Sequence, residues 1–292
     1  MSDIDAGRLV GKAAAPTRRI RFTGPEGRPA ASLGSRIVRR SWPPLLAVII
    51  TLLLWEVVYL SGWRPSYVLP DPATVLQRTG EMVASGKFWQ ALGTTMFRAA
   101  AGFGLALGIG TLIGLVVSFS RTLRAAIGSM ITGLQTMPSI AWFPFAILLF
   151  GLSESAILFV VILGAAPSIA NGIISGIDDV PKALIRTATV LGARGLSLYR
   201  YVVVPAALPA YLSGLKQGWA FAWRSLMAGE LLVIIASKPS LGVQLQFHRE
   251  FADTAGLMSV MIIILVLGML IDGVLSRVSN GVRARRGMGP VS

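Results

Sequence analysis

Followed along the chain, apolar positions gather into long runs that hold hardly a charge, separated by short polar segments. Residues 99–120 and 156–177 contain no charged side chain at all. Each run supplies the roughly 20 apolar residues that cross a bilayer core. A buried helix of a soluble domain would be shorter and would show a polar stripe. Six spans are predicted, at about 43–63, 89–120, 123–150, 156–177, 205–236 and 254–278. Several exceed the usual length, which calls for tilt, kinks or turns beyond the bilayer. Pro138 and Pro144 interrupt the third span, a break tolerated where freed backbone groups face protein or a water-filled cavity. The expected fold class is all-α, a polytopic transmembrane helical bundle.

The segments outside the spans set the domain plan. Residues 1–41 are rich in Arg, Gly, Ala and Pro without apolar periodicity, and are expected to be a disordered basic cytoplasmic tail. A cleaved signal peptide fits less well, because the polar stretch is too long and no small-residue cleavage site follows. Residues 42–280 form the expected membrane domain and 281–292 a C-terminal cytoplasmic tail. Between the first two spans, Leu69-Pro70-Asp71-Pro72 marks a turn, and Val75, Leu76 and Met82 give a short amphipathic pattern. That pattern predicts an interfacial or partly embedded helix. The chain shows no internal repeat and no second domain.

Composition sharpens this reading. Of 292 residues, 54% are hydrophobic and 14% charged, against about 25% charged in soluble domains. The net charge of +14 would suit a nucleic-acid partner. Its distribution argues otherwise: with the N-terminus inside, nineteen Lys and Arg fall in cytoplasmic segments and five in outer ones. That bias is the positive-inside rule, and it predicts both termini in the cytoplasm with no nucleic acid. The lack of cysteine excludes disulfides and thiolate metal sites. The single histidine, His248, is expected to be a solvated surface residue, with no metal ligand set around it.

One connecting segment is patterned, the stretch from residue 178 to 209. Pro181 suits a first helical turn, with Asp178 and Asp179 beside its N-terminal dipole. Residues 183–191 supply about two and a half turns, and Gly192 permits the turn that ends them. Leu184, Ala188 and Leu191 share one face. A second short helix is expected over 197–203, ending at Val204-Pro205.

These residues resemble the loop of binding-protein-dependent importers, written Glu-Ala-Ala, three residues, Gly, nine residues, Ile-x-Leu-Pro. Arg186-Thr187-Ala188 holds the first three places, Gly192 follows in register, and Val202-Val203-Val204-Pro205 closes it. Arg186 reverses the charge of the leading acidic residue. Leu69-Pro70-Asp71-Pro72, Thr95, Arg98, Gly102-Phe103, Pro138, Ala141-Trp142, Pro144, Ala222-Trp223 and Glu230-Leu231 resemble further family elements, in order. The resemblance implies a type I importer permease whose 178–205 loop couples to a separate cytoplasmic ATPase through Arg186, Thr187, Ala188, Gly192, Val202, Val204 and Pro205. It further implies a homodimer, two copies of that ATPase holding ATP and Mg, an extracytoplasmic binding protein and a bacterial inner-membrane location. Aliphatic sulfonate is the favoured cargo, with taurine, nitrate or a vitamin precursor as alternatives. No Gly-x-x-x-x-Gly-Lys-Ser/Thr phosphate loop occurs in the chain, so no cofactor and no ATP hydrolysis are expected in it.

Ionisable residues inside spans are costly and usually face the bundle interior. Arg224, flanked by Trp219 and Trp223, either adds positive potential to a pathway for a small anion or bonds backbone carbonyls between spans. Arg98 either snorkels or locks two spans together, and Lys216 is expected to snorkel. Gln135, Thr136 and Ser139, beside the proline break, either line a central cavity or bond neighbouring helices. With Trp142, Trp223 and Glu230 they complete the candidate translocation pathway. Gly104, Gly108, Gly110 and Gly114 form small-residue steps suited to close helix packing. A gradient-driven secondary transporter and a non-transporting scaffold are the competing functions. The first commonly shows repeated halves, and the second leaves Arg224 and Glu230 without a role.

Overall fold

A computed structural model gives the backbone of residues 33–285 and the side chains of residues 42–285 except residue 121. Residues 1–32 and 286–292, most of the two expected tails, lie outside the described residues. The chain divides into two units, residues 1–54 and 55–292. In the first, every described residue belongs to helix α1 (Leu33–Leu60), which begins inside the stretch expected to be an irregular tail. Its side chains are largely exposed, Leu45, Val48 and Leu53 among them.

The second unit holds the end of α1 and all later elements. Helix α2 (Pro72–Ala84) starts where the sequence places it: Asp71 accepts from the Thr74 amide at 2.9 Å, and Pro72 occupies the first turn. Val75 is fully buried, and Ser259 donates to its carbonyl at 3.1 Å. So α2 is held by protein along one face. Ser85 then caps α3 (Gly86–Ser118), and Ser120 caps α4 (Arg121–Thr136).

The predicted third span is broken. Met137 precedes Pro138 and is extended, as the proline ring requires. A short 3-10 turn (Ser139–Trp142) leads to α5 (Phe143–Phe150), and the chain bends by 100° across the break. Gly151, at φ +67°, makes the turn into α6 (Glu154–Asp178). After α7 (Lys182–Val190), a helical turn labelled α8 (Leu196–Leu198) passes through a π stretch (Tyr199–Val203) into α9 (Val204–Leu232). Helices α10 (Leu241–Glu250) and α11 (Thr254–Arg285) complete the described chain. Because α11 runs to Arg285, the expected C-terminal tail begins as helix.

Helix α6 is the centre of the packing, with 61% of its most apolar window buried against 28% for α3 and 22% for α11. Missing side chains make this possible. A Cβ on Gly110 would lie 2.6 Å from the Ala166 carbonyl, and one on Gly114 2.9 Å from that of Ala170. Gly172 and Gly214 let α6 and α9 touch backbone to backbone, with 2.8 Å from an added Cβ to the opposing Cα. Of the glycine steps read in the sequence, Gly110 and Gly114 meet α6, whereas Gly104 and Gly108 face open space.

Among the described residues, four helices are long and apolar enough to cross a membrane, or five spans if the bent pair counts as one. Helix α9 does not reach that hydropathy, because it carries Lys216, Arg224 and Glu230. At 29 residues it is nonetheless about 43 Å long, enough for a span whose polar residues face protein or a cavity.

Candidate functional site

Three places gather the residues singled out above. The first is a cavity of about 340 Å³ where the α4–α5 break meets α6 and α9. Gln135, Thr136, Ser139, Trp142 and Arg224 all line it. Gln135 also donates to the Ser168 hydroxyl on α6 at 2.9 Å, so it both faces the cavity and ties two helices together. Thr136 bonds back to the Gly133 carbonyl within its own helix. The Arg224 guanidinium lies 5.3 Å from the centre of the Phe221 ring, is exposed, and makes no ion pair among the described residues. Such a cation supplies positive potential that no neighbouring carboxylate cancels. Trp223 turns the other way. It stacks on Trp219 (centroids 5.9 Å) and lines a separate groove toward α11.

The second place corrects the grouping of Glu230 with the pathway. Its carboxylate is fully buried and lies in an ion network away from the cavity. Arg98, 2% exposed, donates to Glu230 Oε1 at 2.9 Å through Nη1. It also grips Glu154 with two bonds, at 2.7 and 2.8 Å. Thr95 donates to Glu230 at 2.9 Å, and the Gly242 amide does so at 3.0 Å. The Leu241 amide donates to Thr95, and Lys238 Nζ stands 3.2 Å from Glu154. Every oxygen of both carboxylates has a donor, which a buried charge demands. Arg98 is therefore the lock between spans. Its partners Glu154 and Glu230 went unpredicted, as did Thr95 on Glu230 and Lys238 on Glu154. The available signal was the Thr95–Arg98 spacing, which sets both on one face of α3, together with a lone acid in each facing segment. Gly242 is obligatory, since any Cβ there would collide with Glu230.

The third place is the patterned loop. Leu191 ends α7, Gly192 has φ +93°, the Gly192 amide donates to the Thr189 carbonyl at 3.1 Å, and that of Ala193 to Ala188 at 2.9 Å. That pair of bonds is a Schellman motif with glycine in its left-handed position. Of the shared apolar face only Ala188 is buried, while Leu184 and Leu191 are exposed. One expectation changes. The second helix does not end at Val204-Pro205 but continues into α9. Pro205 follows directly on the π stretch, at the second residue of α9 within a continuous helix. Val190, Leu191 and Leu196 are each more than four-fifths exposed; Arg186, Thr187 and Val204 are exposed, Val202 half-buried.

His248 also departs from expectation. It is shielded rather than solvated, with Nδ1 3.0 Å from Asp253 Oδ2. Asp253 in turn takes the Gly256 amide at 2.9 Å and Arg78 at 3.1 Å. Burial raises the Asp253 pKa, but the Gly256 amide and the Arg78 and His248 charges outweigh it and hold the carboxyl below its ordinary value. Arg78 is correspondingly raised, through its bonds to Asp253 and Glu81. No cluster suited to a metal ion occurs among the described residues.

Comparison with known proteins fits this arrangement. Residues 106–284 match the family described as binding-protein-dependent transport system inner membrane component. A putative aliphatic sulfonates transport permease protein of Bacillus subtilis (strain 168) is 31% identical over 228 residues, 78% of this chain and 82% of that protein. A riboflavin transport system permease protein of Chloroflexus aurantiacus is 32% identical over 221 residues, 74% of this chain and 81% of that protein. The crystal structure of an amino acid ABC transporter with histidines superposes with a TM-score of 0.52 at 18% identity, over 67% of this chain and 94% of that one, a likeness of fold alone. The broken span, the glycine-packed helices and the glycine-capped loop thus belong to a member of the binding-protein-dependent transport system inner membrane component family, the permease subunit of an ATP-driven importer.

Proposed function

We propose that this permease carries a small organic anion, an aliphatic sulfonate in the favoured case, past the cavity at the α4–α5 break. The observation that carries the reading is Arg224: an exposed guanidinium without a carboxylate partner, on a cavity shared with Gln135, Thr136, Ser139 and Trp142. A cation held inside an apolar span draws anions, and hydroxyl and amide side chains replace part of their hydration. The B. subtilis relative supports a sulfonate; the C. aurantiacus relative, equally similar, supports a larger aromatic cargo.

In this reading two copies of the chain assemble with two copies of a cytoplasmic ATPase that binds ATP and Mg, and with an extracytoplasmic binding protein. The 178–205 loop docks on the ATPase through the exposed face around Val190, Leu191 and Leu196, with Gly192 fixing its angle. The basic excess in the tails and loop supports a cytoplasmic location for both termini. Arg186 supports docking against an acidic surface.

Arg224→Gln tests the pathway role. Loss of one unscreened charge is expected to lower uptake of a labelled alkanesulfonate into vesicles holding the complete transporter by about tenfold. Binding-protein affinity and assembly should stay unchanged. Uptake at the normal rate would eliminate the role of Arg224.

A further inference from the structure

A groove between α9 and α11 meets the reading above only at Arg224, which lines both it and the cavity. It consists of two cavities that meet at Ala220 and Asp272. The first, about 690 Å³, is walled by Trp223, Met227, Met261, Ile264, Leu265 and Met269. The second, about 530 Å³, is lined by Ser213, Lys216, Gln217, Ser279, Asn280 and Arg283. Along one continuous surface, thioether and aliphatic groups thus give way to cations, hydroxyls and amides. The groove follows α9 from Ser213 to Met227 for about 21 Å and α11 from Met261 to Arg283 for about 33 Å, comparable to a hydrocarbon core of about 30 Å.

The charges of the polar half are unequal. Lys216 and Arg283 face one carboxylate, Asp272, which sits at the seam 3.4 Å from Lys216 Nζ and also receives the Ser276 hydroxyl at 3.5 Å. Arg283 has no carboxylate partner among the described residues. Its Nη2 makes only a long bond of 3.4 Å to the Pro209 carbonyl, and its Nε, shielded from solvent, has no acceptor. A desolvated donor without an acceptor is rare in folded proteins and calls for a partner. Met261, Leu265 and Met269 are meanwhile more than half exposed at the apolar end.

We infer that this groove is a binding site for an anionic phospholipid. Its acyl chain lies along Met261, Leu265 and Met269, and its phosphate accepts from Arg283 and Lys216, with Ser279 and Asn280 as further donors. A free phosphate would use the polar half alone, whereas a lipid matches both halves and their order. The bilayer around a permease supplies such a ligand. Since α9 runs on through the π stretch to the loop, the lipid would brace the helix joining the cavity to the coupling segment. The inference requires only that the chain is membrane-embedded, and it stands apart from the cargo and docking readings.

Native mass spectrometry of the full-length protein, released from nanodiscs with equal phosphatidylglycerol and phosphatidylcholine, tests it. The wild type should retain phosphatidylglycerol preferentially, and Lys216→Gln and Arg283→Gln should each cut that preference about fivefold. Ser279→Trp fills the headgroup end without touching either cation, and should abolish retention even if the charge variants fold poorly. Equal retention of the two lipids, or a preference unchanged in these variants, overturns the proposal. So does loss of the bound lipid on adding inorganic phosphate alone, which marks a site for the ion. The chain has no native cysteine, so Leu265→Cys gives a clean further arm. A disulfide between two copies with no lipid retained would make the groove an interface.

Discussion

The two ends of α9 are built on opposite principles. At the Glu230 end, a buried carboxylate, a buried guanidinium and the half-shielded Glu154 saturate one another, with Thr95 and two backbone amides completing the set. Four elements, α3, α6, α9 and α10, are pinned there without help from outside. At the loop end, Val190, Leu191 and Leu196 stand exposed, and α7 buries only Ala188 among its residues. A closed ion network is complete within one chain. Clustered apolar side chains left in the open mark a surface that a partner covers. Under the proposed function the ends have different tasks: one holds the bundle rigid, the other presents a surface through which force enters it.

The sharpest way to break this contrast is Arg98→Ala, which strands Glu230 in the interior. Removing one partner of a buried pair costs roughly 3–5 kcal/mol. Thermal unfolding in detergent should show a large loss, and Arg98→Met combined with Glu230→Leu should recover part of it. Equal losses in the two variants would mean the network is not an ion lock.

A smaller effect separates the network from the Arg78–Asp253–His248 cluster nearby. Since Asp253 is held below its ordinary value of 3.8, its contribution is fully present above that value. It fades as pH falls through the depressed folded-state pKa. Asp253 is about a third exposed, so the loss is modest and confined to acid. Wild-type stability should decline below about pH 4 more steeply than that of Asp253→Asn, which has already lost the pair at neutral pH. Parallel curves would show that this carboxylate is not coupled to folding.

The long uncharged runs gave the helices, and the prolines gave the break, because both depend on local chemistry. Gly192 was legible for the same reason: a helix that stops at glycine fixes its own geometry within six residues. The partners of Glu230 were not legible. They lie 132 and 135 residues away in Arg98 and Thr95, and no local pattern encodes which spans adjoin. Without that knowledge a buried acid and a cavity-lining acid look alike, and Glu230 was grouped with Arg224. The cover of the apolar face of α7 was not legible for a related reason. Apolar residues at helical spacing imply burial somewhere, and sequence does not say whether the cover is this chain or another.

The most direct test of the contrast is Gly192→Val, assayed in vesicles carrying the permease with its ATPase and binding protein. An added Cβ meets nothing within 4 Å, but φ +93° is strained for any side chain, so the substitution alters the loop's angle without crowding a neighbour. The variant should insert and fold, its ATPase partner should still hydrolyse ATP, and that hydrolysis should no longer be coupled to uptake. Coupled uptake at the wild-type rate would contradict the assignment of the loop end as the surface through which the ATPase drives transport.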